Sequence, residues 1–381
     1  MKKIKKILQK NEYNFLHFYR KCIDVVLLKY FLFNTKNLKP NIRFILLATI
    51  YLLLNTSSYS QDLHFTQYNN APLLINPANT GFSPDCDFRI GINSRTQWAA
   101  TNVPYKTNSA WADAQLLRNT LENGWLGLGA VVLNDVAGTG NLRSTKGYVN
   151  VAYHQLLNDN NLLSFGLGAG FVQKRIEYDK LIFDDQWNGK FFDSDIKTKE
   201  PFVTNSTSYL DLNAGINYAW FANDNFYINM GISLLHINRP TETFFNPNTV
   251  DARLSQRLNL FVNASIKTSD VLILNPNIYF SKISTAQEIV FGCSGQYNLG
   301  GDGGTNQLLF GLNYRNKDAI SPSIGYQINS LQLMFNYDAT TSNLTSFSNY
   351  RSAYEIAILW KGFFAGDNQS ERAMKCNPPK F

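Results

Sequence analysis

Period-two alternation governs the chain from about residue 86 onward. Between Tyr209 and Phe221, the positions Leu210, Leu212, Ala214, Ile216, Tyr218 and Trp220 are apolar, while Asp211, Asn213, Gly215, Asn217 and Ala219 are polar or small. The same alternation runs through Phe226, Ile228, Met230, Ile232 and Leu234, and through Leu258, Leu260, Val262, Ala264 and Ile266. A side-chain period of two is that of a strand with one apolar face, and helical periodicity is nearly absent. The pattern predicts fourteen strands, near 87–98, 106–117, 125–134, 146–157, 162–174, 208–221, 225–237, 254–267, 271–282, 287–297, 306–315, 319–328, 331–338 and 353–363.

An even number of strands of about ten residues, each with one apolar face, is the pattern of an all-β, transmembrane antiparallel barrel of about 14 strands. Closure makes such a fold viable in lipid, where an open sheet edge leaves backbone groups unpaired. No stretch of about 18 apolar residues follows Gln61, so no membrane-crossing helix is predicted. A soluble β-sandwich also alternates, but it would need linkers between domains of ordinary size, and the strands form one uninterrupted series.

The connections carry a second signal. Short Asn/Asp/Ser turns at 158–160, 222–224, 268–270 and 329–330 follow even-numbered strands, and long pieces at 175–207, 238–253 and 339–352 follow odd-numbered ones. Barrels of this kind have short periplasmic turns and long outer loops, so both mature termini are expected in the periplasm. Trp125, Trp220, Phe221, Phe226, Tyr227 and Trp360 are then expected as an aromatic girdle at the periplasmic interface. The opposite strand phase faces the lumen. It carries Arg89, Asn93, Arg95 and Gln97, then Asp113 and Gln115, and glycines including Gly127, Gly129, Gly166, Gly168 and Gly170, which leave space inside or permit curvature.

Charge changes the picture at one end only. The net charge is +7 with 17% charged residues, but residues 1–60 hold eleven cations against Glu12 and Asp24, leaving the remainder at −2. The basic character belongs to this leader, so a nucleic-acid partner is not indicated. The cations precede an apolar run from Phe44 to Leu54, and Ser58 and Ser60 frame a cleavage point before Gln61. That is the form of an export signal, and the run is too short to cross a bilayer as a helix. The organisation read from the sequence is therefore a signal peptide with an extended basic leader at 1–60, a plug or periplasmic segment at 61–85, the barrel at 86–365 and a periplasmic tail at 366–381. The 61–85 segment contains Pro72, Pro77 and Pro84, with Asn76 and Asn79 suited to Asx turns and Phe65, Tyr68, Leu73 and Leu74 as apolar anchors.

Catalytic chemistry is not framed anywhere. Cys86, Cys293 and Cys376 remain after the leader and lack zinc spacing, and Cys86 could bridge to Cys376. The GLGAG run from Gly166 is followed by no helix, and Asp184, Asp185, Asp193 and Asp195 read as a solvated acidic loop more readily than as a calcium site. No metal, cofactor or enzyme activity is expected. The long connections instead offer Phe183, Trp187, Phe191, Phe192 and Phe202, then Phe244 and Phe245, as candidate partner-binding aromatics.

Several pieces resemble a known family. They are the stretch from His64 to Tyr68, the NPANTG piece with Asn76, Pro77 and Gly81, the RTQW piece with Arg95, Gln97 and Trp98, and the stretch from Gly127 to Asn134 and Asp135. With Tyr337 and Asp338 near the end, these are similar to the signatures of the PorP/SprF family of Bacteroidota outer-membrane proteins, over essentially all of residues 61–365. The resemblance implies an outer-membrane barrel of the type IX secretion and gliding machinery. It would work with other secretion components to export or anchor an adhesin-like cargo bearing a particular C-terminal domain, without catalysis. The alternative is an outer-membrane porin or small-solute channel, which would show an open polar bore, whereas an anchor would have its bore blocked.

Overall fold

The computed structural model describes residues 65–83, 86–99, 103–118, 120–193, 195–200, 202, 204–245, 252–300, 305–342 and 351–364. The expected leader, the C-terminal tail and Cys376 lie outside these residues.

The fourteen expected strands are present: β1 (Phe88–Gln97), β2 (Tyr105–Leu116), β3 (Gly124–Ala137), β4 (Leu142–Asn158), β5 (Asn161–Arg175), β6 (Ser206–Asn223), β7 (Phe226–Leu235), β8 (Arg257–Ser269), β9 (Leu272–Ile283), β10 (Ala286–Gly300), β11 (Asn306–Arg315), β12 (Ala319–Ile328), β13 (Leu331–Thr340) and β14 (Arg351–Gly362). Each pairs antiparallel with the next, and β1 closes on β14 with Phe88 opposite Gly362 and Gln97 opposite Ala353. The barrel has no free edge, so its wall strands satisfy one another's backbone groups.

The alternation sets what faces where. On β6, Leu210 is 68% exposed while Asp211 beside it is 0% exposed. Leu167, Ile216, Ile324 and Ile358 are likewise outward, and Asn93, Asn150, Asn217, Asn259 and Glu355 are buried inside. The apolar face is the outer one, as membrane burial requires, and the interior is polar.

Two expectations are corrected. The loop end is uneven: long connections cross 176–205, 236–256 and 341–350, while β9–β10 and β11–β12 are joined by turns at 284–285 and 316–318, as the expected strand bounds imply, and β3–β4 by a turn at 138–141, tighter than the expected 135–145. Gly138, Asn141, Ser284 and Lys317 supply the positive φ those turns need. The girdle is also smaller than expected. Trp220 and Trp360 are exposed on the outer face, whereas Trp125 and Phe221 are 1% and 2% exposed and point inward. Trp125 shares its strand phase with Gly127 and Gly129, and phase overrides nearness to a strand end.

A charge on the outer face should block assembly while one inside should not. Ile216→Arg, near the middle of β6, is expected to cost about 2–4 kcal/mol and to remove the heat-modifiable folded band from outer-membrane fractions, and Gln327→Arg on the inner face of β12 to retain that band. Equal behaviour of the two would overturn the register.

Candidate functional site

The bore is occupied by the chain itself. Residues 65–83 form a 3-10 turn (Tyr68–Asn70), one α-helical turn (Pro72–Ile75) and a second 3-10 turn (Pro77–Asn79) inside the ring of strands. The segment begins beside the loop-end halves of β1, β11, β13 and β14 and descends to the turn end, where it leads into β1.

Its local geometry is written in its sequence. Asn76 is an N-cap whose Oδ1 accepts from Ala78 N at 2.9 Å, and Pro77 follows at the first helical position, where a missing N–H costs nothing. Gly81 takes φ +66°, a left-handed conformation that favours glycine. The Gly81 N–H donates to Asp113 at 2.7 Å and its carbonyl accepts from Trp125 Nε1 at 2.9 Å.

The wall supplies the other half of each contact. Asn76 Nδ2 donates to the carbonyls of Ile216 (3.0 Å) and Ile232 (3.3 Å). Trp111 Nε1 donates to Asn70 O, Asn150 to Leu73 O, Ser233 and Asn259 to Ile75 O, and Arg89 to Asn79 O. Because a carbonyl only accepts, His154 Nε2 donates to Thr80 O at 2.8 Å, leaving Nδ1 to accept from Ser164 at 2.7 Å. The lumen glycines make the space for this approach: a Cβ on Gly127 would overlap Thr80, one on Gly166 would overlap Ala78, and one on Gly215 would overlap Asn76.

A buried ion cluster closes the loop end. Arg95 reaches Asp338 at 2.9 Å and Glu355 at 3.2 Å, and Arg315 reaches Asp338 at 3.0 Å, all with side chains no more than 4% exposed. Thr66 sits at its centre: its hydroxyl donates to Asp338 (2.8 Å) and accepts from Arg95 (2.8 Å) and Arg315 (2.9 Å). Glu355 accepts the backbone N–H groups of Thr66 (3.0 Å) and Gln67 (3.1 Å). Arg315 also pairs with Asp318 at 2.5 Å and lies 4.0 Å from Glu288, so every charge of the cluster has an opposite neighbour, and the plug provides the hydrogen bonds a buried cluster requires.

Of the motif positions singled out in the sequence, Asn76, Pro77, Gly81, Arg95 and Asp338 meet at this plug–wall contact. The others do not join it. Gln97 ends β1 opposite Tyr105, Trp98 packs edge-on against Tyr105 at 4.8 Å, and Asn134 bonds Thr145 on the outside. Asp135 accepts from Thr107 at 2.6 Å, and Tyr337 lies on the outer face. Glu355, Arg315 and Thr66 were not found by sequence reasoning. The available signal was phase, since Glu355 is a lone acid at an inward position between Ala353 and Ala357.

The loop aromatics divide into two groups. Phe202 stacks on Tyr178 at 4.0 Å and on Phe245 at 5.4 Å, with Phe183 at 5.5 Å, and Phe244 meets Tyr178 at 6.5 Å. This cluster joins the β5–β6 and β7–β8 loops, which also share a Thr204 N to Phe244 O bond and the Lys174–Glu242 ion pair at 2.6 Å. Burial in the cluster raises the Tyr178 pKa. The hairpin beyond it pairs Trp187 with Phe192 at 5.1 Å, leaving Trp187 48% and Phe191 55% exposed. The backbone N–H of Lys199, aided by Thr198, holds the nearby Asp185 carboxyl below its usual range, and Lys180, then Asn141, does the same for Glu177.

With this geometry in place, the comparisons decide the family. The sequence matches the family described as type IX secretion system membrane protein PorP/SprF over residues 57–360. The chain belongs to the PorP/SprF family. No curated protein matches it. Among solved structures, the Ralstonia pickettii toluene transporter TbuX is 10% identical at a TM-score of 0.47, covering 77% of this chain and 94% of that one. The Pseudomonas putida toluene transporter TodX is 10% identical at 0.45, covering 80% and 94%. The KdgM porin in complex with disordered oligogalacturonate is 8% identical at 0.36, covering 72% and 98%. This PorP/SprF member is thus a type IX secretion system membrane protein with an outer-membrane barrel fold.

Removing one carboxylate should expose how much the cluster matters. Asp338→Ala leaves Arg95 and Arg315 under-compensated in the bore and is expected to cost about 3–5 kcal/mol, read as an earlier urea unfolding midpoint of the folded barrel. Tyr337→Phe, one residue away on the outer face, is expected to leave the midpoint in place.

Proposed function

We propose that this barrel binds a secreted surface protein at its loop end and helps to export it or hold it at the cell surface. In this reading residues 1–60 are the export leader, the turn end and both mature ends are periplasmic, and the barrel serves the type IX secretion and gliding machinery without catalysis. The cargo is an adhesin-like protein with a C-terminal domain that the machinery recognises, and other secretion components meet the barrel from the periplasm.

The observation that carries the reading is the occupied bore. A plug bonded through its main chain to β14, β1–β4, β7 and β8, and locked at the loop end by a buried ion cluster, is a poor path for solutes. Binding chemistry is concentrated outside instead. Trp187 and Phe191 stand exposed at the tip of the longest loop, with Ile182 also 68% exposed, and large aromatics bury much area at small entropic cost. Phe183, Phe202, Phe244 and Phe245 serve this surface from behind by fastening the two loops together.

Deleting the protein is expected to strip one large protein from the cell exterior without changing small-solute uptake. Trp187→Ala with Phe191→Ala and Phe192→Ala is expected to weaken retention of that protein by about 2 kcal/mol or more while the barrel still assembles. An unchanged surface profile with reduced solute permeability would favour the channel instead. Orientation has its own check: a protease site at Gly189 is expected to be cut on intact cells and one at Asn223 to be protected.

A further inference from the structure

The plug does not fill the bore evenly. Its main chain is bonded by side chains of β14, β1, β2, β3, β4, β7 and β8, and alongside β9–β13 a cavity of about 700 Å³ extends from the turn end, bordered by Asn329, Ser330 and Phe363. A second space of about 310 Å³ shares much of its lining and reaches up to Thr66 and Gln67 beneath the ion cluster.

The lining carries carboxamides in cross-strand rows among apolar and aromatic side chains such as Phe261, Ile273 and Tyr227. Asn229 lies opposite Asn263, which lies opposite Asn277, across β7–β9. Gln307 lies opposite Gln327, which lies opposite Gln332, across β11–β13. Only Arg89 and Lys361 among the lining side chains are charged, and Arg89 is already paired with Asp113. Each carboxamide offers a donor and an acceptor, so the surface suits a ligand that presents both along its length and carries no charge.

The same barrel shows which ligand that chemistry takes. In the filled half, Asn, Ser, Gln, Trp and His side chains hold the carbonyls of Asn70, Leu73, Ile75, Thr80, Gly81 and Ser83, so the wall already recognises an irregular polypeptide by its main chain. Two residues that border the unfilled half each carry a buried side-chain atom without a hydrogen-bond partner among the described residues: Gln67 Nε2, a donor on the plug, and Asn229 Oδ1, an acceptor on the wall. One peptide unit carries the complementary pair of groups.

We propose that the amide-lined half of the bore binds a second polypeptide segment, uncharged and extended, that enters from the turn end. For the source of the segment, a secreted or secretion-system chain in the periplasm, the proposal rests on the functional reading above. Recognition is by main chain together with Ser, Thr, Asn and Gly side chains. Away from Lys361 at the turn end, a Glu or Lys in the segment would be desolvated among neutral amides.

The test uses the purified, detergent-folded barrel and a dansyl-labelled dodecapeptide of Ser, Asn, Gly and Thr, read by fluorescence titration. Saturable binding is expected, weakened about tenfold or more when two central Ser are replaced by Glu, and by a similar factor in the Gln327→Leu, Gln332→Leu barrel. Ser330→Trp, at the cavity mouth in a turn, is expected to weaken binding with the folded band intact, which keeps the result readable if the double variant fails to fold. The proposal is overturned if the neutral peptide does not bind, if the Glu peptide binds equally, if Ser330→Trp has no effect, or if a tetramer of N-acetylglucosamine binds in the peptide's place. Retention of surface protein in cells is a separate readout, so failure here and failure of the anchoring role are distinguishable.

Discussion

A closed sheet in lipid uses its backbone hydrogen bonds on itself, and the rest of this molecule follows from that constraint. The wall strands have no spare main-chain N–H donors for the interior, though carbonyls such as those of Ile216 and Ile232 still accept from Asn76, and the interior holds an irregular segment whose own carbonyls need donors. Side chains must therefore supply them, and they do so from inward positions on successive strands: Trp111 from β2, Trp125 from β3, Asn150 and His154 from β4, Ser233 from β7 and Asn259 from β8. On these strands the polar phase, which in an empty barrel would meet only water, is the binding surface for the plug. Glycines at Gly127, Gly166 and Gly215 thin the wall where the plug's backbone comes closest. Space and donors are thus two aspects of one arrangement.

The strands were legible because a period of two is a local property and one buried face repeats it every second residue. Leu210 outward and Asp211 inward could be read without knowing any partner. The Asx turn at Asn76 and the entry of Pro77 were legible for the same reason, since cap and turn lie within three residues. What those residues touch was not. Asn76 meets carbonyls of Ile216 and Ile232, and Thr66 meets Glu355, across separations that no local pattern encodes. The β9–β10 and β11–β12 turns were legible from the strand bounds even though Ser284-Thr285 carries no Gly or Asn, whereas the β3–β4 turn is tighter than the alternation showed because the pairing runs on past Asn134 to Ala137.

Inside the bore, one ion pair, Arg89 with Asp113, sits near the turn end and a larger cluster at the loop end. The loop end gathers Arg95, Arg315, Asp338 and Glu355 around Thr66, where full desolvation is tolerable because each charge has an opposite partner and further hydrogen bonds. Below it the wall of β7–β13 changes to Asn, Gln and Ser. A buried pair is weak evidence of added stability, since apolar packing can do as well, but it is demanding about geometry. Four charged side chains from four different strands converge on a single threonine, and another placement of the plug would leave one or more of them uncompensated. The cluster therefore specifies where residue 66 must sit more than it adds to the total stability.

The two halves of the barrel differ for a reason that joins inside to outside. The long loops spring from β5–β8, the strands that also hold the plug through Gly166, Asn217, Ser233 and Asn259. Strands β9–β12 carry tight turns at the loop end and face the amide-lined space within. Phe202 on Phe245 and Tyr178 on Phe244 bind the two long loops to each other, and Tyr148 and His236 both bond Asp211 near the base of those loops, so a load on the loops is passed to the plugged side of the wall. The side that would have to admit another chain bears neither the long loops nor most of the plug contacts, and so can bind within the bore without disturbing what the loops hold outside it.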